Sequence, residues 1–155
     1  MTEPNRDMQD LYRELVIDHS RNPRHFGQLA DATHTADGIN PLCGDKLKLY
    51  LRVDDNDKIE SSSFEGSGCA ISIASASLMT EAVTGLGIEQ AKDCSSTITA
   101  RLTADEPQTE LAANLDKLKA LDGVRAYPSR VKCATLAWHA LSSALTNDTT
   151  PATSE

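Results

Sequence analysis

Strict alternation of apolar and polar residues over 46–53 constrains the fold more than any other feature of this sequence. Successive side chains of a strand point to opposite faces, so this pattern predicts a half-buried β-strand. The acidic run at 54–57 indicates a turn, and residues 58–64 are predicted to form a second strand. Two strands joined by a short polar turn form an antiparallel hairpin. The inward-facing residues of the first strand are predicted to be Leu47, Leu49, Leu51 and Val53.

Helical periodicity surrounds this hairpin on both sides. The residues between the first helix and the hairpin, 24–42, are predicted to form a long loop. This combination of elements predicts an α+β domain, in which a small antiparallel sheet has helices packed on one face. The helices are predicted at residues 7–20, 70–84, 88–94, 111–121 and 131–145.

A chain of 155 residues suits one domain with a single core. We expect that domain over residues 1–146 and a disordered polar tail over 147–155. The formal net charge of −8 argues against nucleic acid and anionic membranes as partners, because no Lys/Arg cluster would offset phosphate repulsion. No run approaches the roughly 18 apolar residues of a membrane helix, and the N-terminus has no signal-peptide pattern. We therefore expect a cytoplasmic protein, whose cysteines are thiols or metal ligands rather than disulfides.

The cysteines are widely spaced, with separations of 26, 25 and 39 residues between Cys43, Cys69, Cys94 and Cys133. These separations exclude the paired CxxC ligands of an ordinary zinc ribbon or finger. Cys43 is predicted in the loop before the first strand, Cys69 at the start of a helix, and Cys133 in the first turn of the last helix. A helix N-terminus favours thiolate, the form that binds a metal or attacks sulfur.

Asp45, two residues after Cys43, would add a hard oxygen ligand to three soft sulfurs. Such a mixture suits an exchangeable metal better than four thiolates do. Cys94 has no glycine neighbour and no acidic partner in a pattern comparable to that of Cys43, so it is predicted to be a bystander. Two other interpretations stay open on these residues alone. The cysteines are unrelated buried thiols, or Cys43 forms a nucleophilic pair with a histidine such as His25.

Taken together, three cysteine segments resemble the IscU/NifU N-terminal family of iron–sulfur cluster assembly proteins. The segments are NPLCGD at 40–45, GSGCAIS at 66–72 and RVKCA at 130–134. Two departures resemble the SufU subgroup of that family. Lys132 stands where IscU proteins have a histidine, and the stretch between Cys69 and Cys133 is longer than in IscU proteins.

The resemblance implies an α+β fold with a small three-stranded antiparallel sheet and helices mainly on one face. It also implies that Cys43 accepts persulfide sulfur from a pyridoxal-phosphate cysteine desulfurase, with Arg130 and Lys132 in support. Downstream partners would be cluster assembly or acceptor proteins. The chain would be a sulfurtransferase-like acceptor rather than a multi-substrate catalyst. The implied ligands of a zinc ion are Cys43, Asp45, Cys69 and Cys133.

Two further hypotheses use the same ligands. In one, the chain is a scaffold that assembles and transfers a [2Fe–2S] cluster, or binds iron, at this site. In the other, the zinc ion is structural, and its removal would unfold the domain.

Overall fold

The computed structural model describes residues 4–41, 44–103, 113–146 and 152–153. The predicted hairpin is present, and it is flanked by helices at both ends. Within the described residues, no helix combines the length and hydropathy that crossing a membrane requires. The elements in chain order are α1 (Pro4–Arg21), β1 (His34–Asn40), β2 (Asp45–Val53), β3 (Ile59–Ser67), α2 (Ala70–Val83), α3 (Ile88–Thr103), a 3-10 helix (Ala113–Ala126), α4 (Pro128–Leu145) and β4 (Ala152–Thr153).

Three antiparallel strands form the body of the sheet, with β2 in the centre between β1 and β3. The predicted α+β class, with three antiparallel strands, is therefore confirmed. The short strand β4 pairs parallel with β1 at the edge. The predicted disorder of the rest of the tail concerns residues outside the described part of the chain.

The prediction of a loop over 24–42 was wrong for its second half, which forms β1. The inward positions of β1 are Ala36, Gly38 and Asn40. None of them is a large apolar residue, so the sequence of this strand shows no alternation of apolar and polar residues. Gly38 is small for a packing reason. A Cβ at this position would lie 3.2 Å from the side chain of Leu136, because α4 lies directly on β1.

Each helix differs from its predicted bounds. Helix α1 begins at Pro4 rather than at residue 7 and ends at Arg21, and α2 ends at Val83 rather than at residue 84. The predicted helix at 88–94 continues to Thr103. The last helix begins at Pro128 rather than at residue 131, since proline fits the first turn, where its missing N–H has no helical partner. The helix predicted at 111–121 is a 3-10 helix that continues through Gly123 to Ala126, and residues 111–112 lie outside the described residues.

One face of the sheet is covered by helices, as predicted. Helix α4 packs against β1 and β2, α2 packs against β3 and α4, and α1 packs on α2. Along β2 the inward Leu49 and Leu51 are 1% and 0% exposed, whereas Lys48 on the other face is exposed. This arrangement directs the ends of β1, α2 and α4 toward one another.

Candidate metal centre

Three of the four predicted ligands converge in the structure. Asp45, Cys69 and Cys133 each offer one ligand atom, and these atoms all lie within 4.8 Å of one another. The residues come from the start of β2, the residue before α2 and the N-terminal half of α4. Chain elements that are distant in sequence therefore build the group.

Asp45 is fully buried, and its carboxylate is fixed by the backbone of the next ligand. The N–H of Cys69 donates to Asp45 Oδ1 at 2.8 Å, and Cys69 Sγ lies 3.9 Å from Asp45 Oδ2. Gly68 makes this approach possible. A Cβ on Gly68 would lie 2.5 Å from Asp45 Oδ1 and 2.6 Å from Ser72 Oγ, so a side chain at this position would displace the carboxylate.

Cys69 is the N-cap of α2, which confirms its predicted place at a helix start. Its sulfur accepts a hydrogen bond from the N–H of Ser72 at 3.4 Å, and Ser72 Oγ donates back to the carbonyl of Cys69 at 3.1 Å. Cysteine thus stands where a serine or aspartate oxygen would usually satisfy the first N–H groups of a helix. This contact sets the direction of the sulfur toward Asp45.

Cys133 is 2% exposed and faces the same group from α4. The expectation that it lies in the first turn of its helix was wrong, because α4 begins at Pro128 and Cys133 is in the second turn. The helix-terminus effect falls off within one turn, so this cysteine is placed by packing rather than by a helix end. Ser75 of α2 holds α4 there. Its hydroxyl donates to the carbonyl of Ala134 at 2.6 Å and accepts from the indole N–H of Trp138 at 3.1 Å.

Cys43, the fourth predicted ligand, lies outside the described residues. On either side of the undescribed positions 42–43, the N–H of Gly44 donates to the carbonyl of Asn40 at 2.9 Å. Asn40 and Asp45 are also register partners in the β1–β2 pair. The described residues on the two sides of positions 42–43 therefore lie close together next to Asp45, and the role of Cys43 as a ligand stays a prediction.

Asn40 is a residue of this centre that sequence reasoning missed. It is fully buried, and its Nδ2 lies 3.4 Å from Asp45 Oδ2 and 3.6 Å from Cys133 Sγ. The sequence prediction includes Asn40 only as the first residue of the NPLCGD segment around Cys43. Because β1 was not predicted, no sequence pattern placed its last residue on the inward face.

An open cleft of about 1170 Å³ leads from the surface to the two cysteines. Helix α1, the 3-10 helix and the first turns of α2 and α4 form its walls, and Cys69 and Cys133 are among its lining residues. Arg130 also lines it, with its guanidinium carbon 4.8 Å from the ring centroid of Tyr127. Lys132, half-buried beside Cys133 in the sequence, is not part of the lining that the described residues form.

Cys94 lies apart from this group, as expected of a bystander. It is 4% exposed within the apolar core, and burial raises the pKa of its thiol to about 11. His25 is exposed, and its pairing with Cys43 concerns a residue outside the described part of the chain.

The donor set fits a transition metal. Two sulfurs and one carboxylate oxygen match the ligand types of zinc, and sulfur ligands also suit iron. Three protein ligands at one point leave a coordination position for a fourth. The buried carboxylate with its two fixed oxygens is a preformed part of such a site, since a metal-binding carboxylate is usually held by outer hydrogen bonds.

Known proteins resemble this chain over most of its length. A zinc-dependent sulfurtransferase, SufU, of Bacillus subtilis (strain 168) is 42% identical over 137 residues, which covers 88% of this chain and 90% of that protein. An iron–sulfur cluster assembly scaffold protein, IscU, of Streptococcus pyogenes serotype M1 is 40% identical and covers 89% of this chain and 84% of its own length. These relatives span nearly the whole domain.

Solved structures and a family model agree with the sequence relatives. The crystal structure of a candidate SUF-system scaffold from Fervidobacterium islandicum AW-1 superposes with a TM-score of 0.74 at 33% identity, covering 85% of this chain and 94% of the other. Residues 11–134, more than half of the chain, match the model of the NifU-like N terminal domain. The segments around all four predicted ligands lie inside this match. The chain belongs to the NifU-like N terminal domain family.

Proposed function

We propose that this chain is an iron–sulfur cluster assembly protein that accepts persulfide sulfur from a pyridoxal-phosphate cysteine desulfurase. The observation on which the proposal rests is the convergence of Asp45, Cys69 and Cys133, of which the two cysteines line an open cleft. The relative that is named a zinc-dependent sulfurtransferase supports the same function. Asp45, Cys69 and Cys133 would hold a zinc ion together with Cys43.

Zinc, when bound, keeps its thiolate ligands deprotonated and adds no redox chemistry that would consume a persulfide. The chain supplies the rest. The N–H of Cys69 holds one oxygen of Asp45, and the N–H of Ser72 holds the sulfur of Cys69. Asp45, Cys69 and Cys133 lie on or next to β2, α2 and α4, whereas the sequence predicts Cys43 in a loop, so we expect Cys43 to be the ligand that leaves the metal.

Sulfur transfer follows the chemistry of thiol–disulfide exchange. The thiolate of Cys43 attacks the terminal sulfur of the donor persulfide and forms a new S–S bond. The donor's own S–S bond breaks, and its cysteine leaves as a thiolate. The proton on the terminal sulfur stays with that sulfur, and the negative charge passes to the donor. No external oxidant or reductant is required.

The cleft gives a sulfur donor access to this centre. The chain has a net charge of −8, but the residues that line the cleft include Arg13, Lys119 and Arg130. Positive charge along the cleft favours an acidic segment of the donor protein. A cytoplasmic location, as predicted from the sequence, would keep the cysteines reduced for this exchange.

A second candidate function is assembly and transfer of a [2Fe–2S] cluster on the same ligands. It is favoured by the relative from Streptococcus pyogenes, which is named a scaffold. Lys132 weighs toward sulfur acceptance, because a lysine replaces the histidine that IscU proteins have before the third cysteine.

Metal analysis with a desulfurase assay tests the proposal. Protein purified without oxygen should contain about one zinc per chain and no labile sulfide, and it should accelerate desulfurase turnover. Cys43→Ala should abolish the acceleration, whereas Cys94→Ala serves as a matched cysteine control that should retain it. Equal amounts of iron and sulfide, with no effect on turnover, would move the assignment to the scaffold.

A further inference from the structure

Asn40 connects two ligands of the candidate centre through one side chain. Its Nδ2 lies 3.4 Å from Asp45 Oδ2 and 3.6 Å from Cys133 Sγ. A primary amide nitrogen carries two hydrogens, so each acceptor can receive one. Both acceptors are atoms of the group that converges on the cleft.

The carbonyl oxygen of this amide indicates that the asparagine at position 40 has a specific role. Among the described residues, Asn40 Oδ1 is buried and has no hydrogen-bond partner. An unpaired buried carbonyl is unfavourable, and an apolar side chain of similar shape would avoid it. Packing alone therefore does not explain an asparagine here. The two ligand atoms that face its NH₂ group do.

Asn40 also contacts the second carboxylate oxygen of Asp45, so both oxygens have a hydrogen-bond donor. The N–H of Cys69 fixes Oδ1 at 2.8 Å, and Asn40 faces Oδ2. Asn40 and Asp45 are cross-strand partners at the base of the turn, so the hairpin keeps the two side chains together. Cys133 is thereby joined to the hairpin from α4, across 93 residues of sequence.

We propose that Asn40 is a positioning residue of the metal centre, which bridges Asp45 and Cys133 and orients both before the metal binds. This inference rests on the proposed function, because it requires that the group bind a metal. Because one amide faces both side chains, the ligands stay assembled while a metal is exchanged.

Zinc affinity, measured by competition with a chromogenic chelator, tests the role of Asn40. Asn40→Leu keeps the shape of the side chain and removes the amide, whereas Asn40→Ala removes the amide without adding bulk. Both should bind zinc about 10- to 100-fold more weakly than the unmodified chain, the usual effect of losing an outer partner of a ligand. Two variants keep the test valid if one fails to fold.

Ser95→Ala is the matched control for a lost buried hydrogen bond. Ser95 is 2% exposed and donates to the carbonyl of Trp138 at 3.0 Å, away from the ligands. Its zinc affinity should equal that of the unmodified chain. A loss in Ser95→Ala as large as that in the Asn40 variants would mean that general destabilisation explains both, which would overturn the inference.

A double-mutant cycle separates positioning from a general structural role. In an Asp45→Ala background, Asn40→Leu should weaken zinc binding several-fold less than it does alone, because one of the two ligands it orients is absent. Equal losses in both backgrounds would overturn the assignment. Unchanged affinity in both Asn40 variants would overturn it and leave the proposed function intact. A complete failure of the unmodified chain to bind zinc would overturn the proposed function itself, and with it this inference.

Discussion

The backbone N–H of Cys69 donates to Asp45 Oδ1 at 2.8 Å, which joins two residues separated by 24 positions. This hydrogen bond connects the start of β2 to the cap of α2. It joins two groups of the protein and does not involve a metal, so its contribution to stability can be measured in the metal-free protein.

Asp45→Ala should lower the free energy of unfolding of the metal-free protein by about 1.5–3 kcal/mol, the range for a hydrogen bond to a charged group. Asp45→Asn keeps an oxygen that can accept from Cys69, so its loss should be smaller. Urea unfolding in the presence of EDTA, followed by fluorescence of Trp138, measures both. Equal losses in the two variants would show that this hydrogen bond is not the source of the stability.

Gly68→Ala should disrupt the centre by a steric route. The added Cβ would lie 2.5 Å from Asp45 Oδ1, so either the carboxylate or the backbone must shift. Overpacking of this kind costs about 1–3 kcal/mol, and zinc affinity should fall with it. Gly123→Ala is the control, because a Cβ there would meet nothing within 4 Å. Normal zinc binding by Gly68→Ala would contradict the proposed geometry.

Cys94 should resist alkylation in the folded protein. Burial raises the pKa of its thiol to about 11, so at pH 8 only about one molecule in a thousand would present the thiolate even with full access. Mass spectrometry after iodoacetamide treatment should find Cys94 unlabelled until urea is added. The variant Cys94→Ala should retain its metal, and loss of the metal there would require a different ligand set.

His19 makes stability depend on pH. It is 1% exposed, its Nδ1 lies 2.7 Å from Ser77 Oγ, and burial lowers its pKa below the usual value near 6.5, with the Arg24 charge acting in the same direction. The unfolded chain therefore binds a proton before the folded chain does. The corresponding stability is complete above the ordinary histidine pKa and is lost as the pH falls through the lowered one.

Substitution of this histidine tests the pH effect. Metal-free protein should have a lower urea midpoint at pH 5.5 than at pH 7.5, and His19→Gln should reduce that difference. The half-buried ring of His139, whose pKa is also lowered by burial, should leave a residual slope. His25→Asn, at an exposed position, should leave the difference unchanged. A slope in His19→Gln equal to that of the unmodified chain would contradict this explanation.

Removal of the metal should leave a folded domain. The core around Trp138, which is 0% exposed, is built from the sheet, α2, α3 and α4 and does not depend on the ligand group. Bound metal should raise stability only by linkage, about 2.7 kcal/mol at a free concentration one hundred times Kd. Near-UV circular dichroism of Trp138 with and without EDTA measures this. Loss of the signal in EDTA would support the structural-zinc hypothesis instead.

Some features could be predicted because their signal is local. The alternation along β2 and the amphipathic pattern of α1 report burial of one face, and that burial stabilises the same elements in the fold. Strand β1 escaped prediction because its inward positions are small or polar, in contact with α4 and Asp45. The burial of β1 depends on contacts with residues that are remote in the chain, and such contacts produce no periodic pattern in the sequence of the strand itself.

The sequence by itself determined the α+β class, the hairpin and the identity of the candidate ligands, because strand and helix patterns and the three cysteine segments are each contained in a few consecutive residues. Only the tertiary structure decided that Asp45, Cys69 and Cys133 meet within 4.8 Å and that Asn40 faces two of them. The physical reason is that distances between side chains on different elements are set by packing of α2 and α4 on the sheet, where Gly38 and Gly68 allow close approach. Spacing along the chain does not specify those distances.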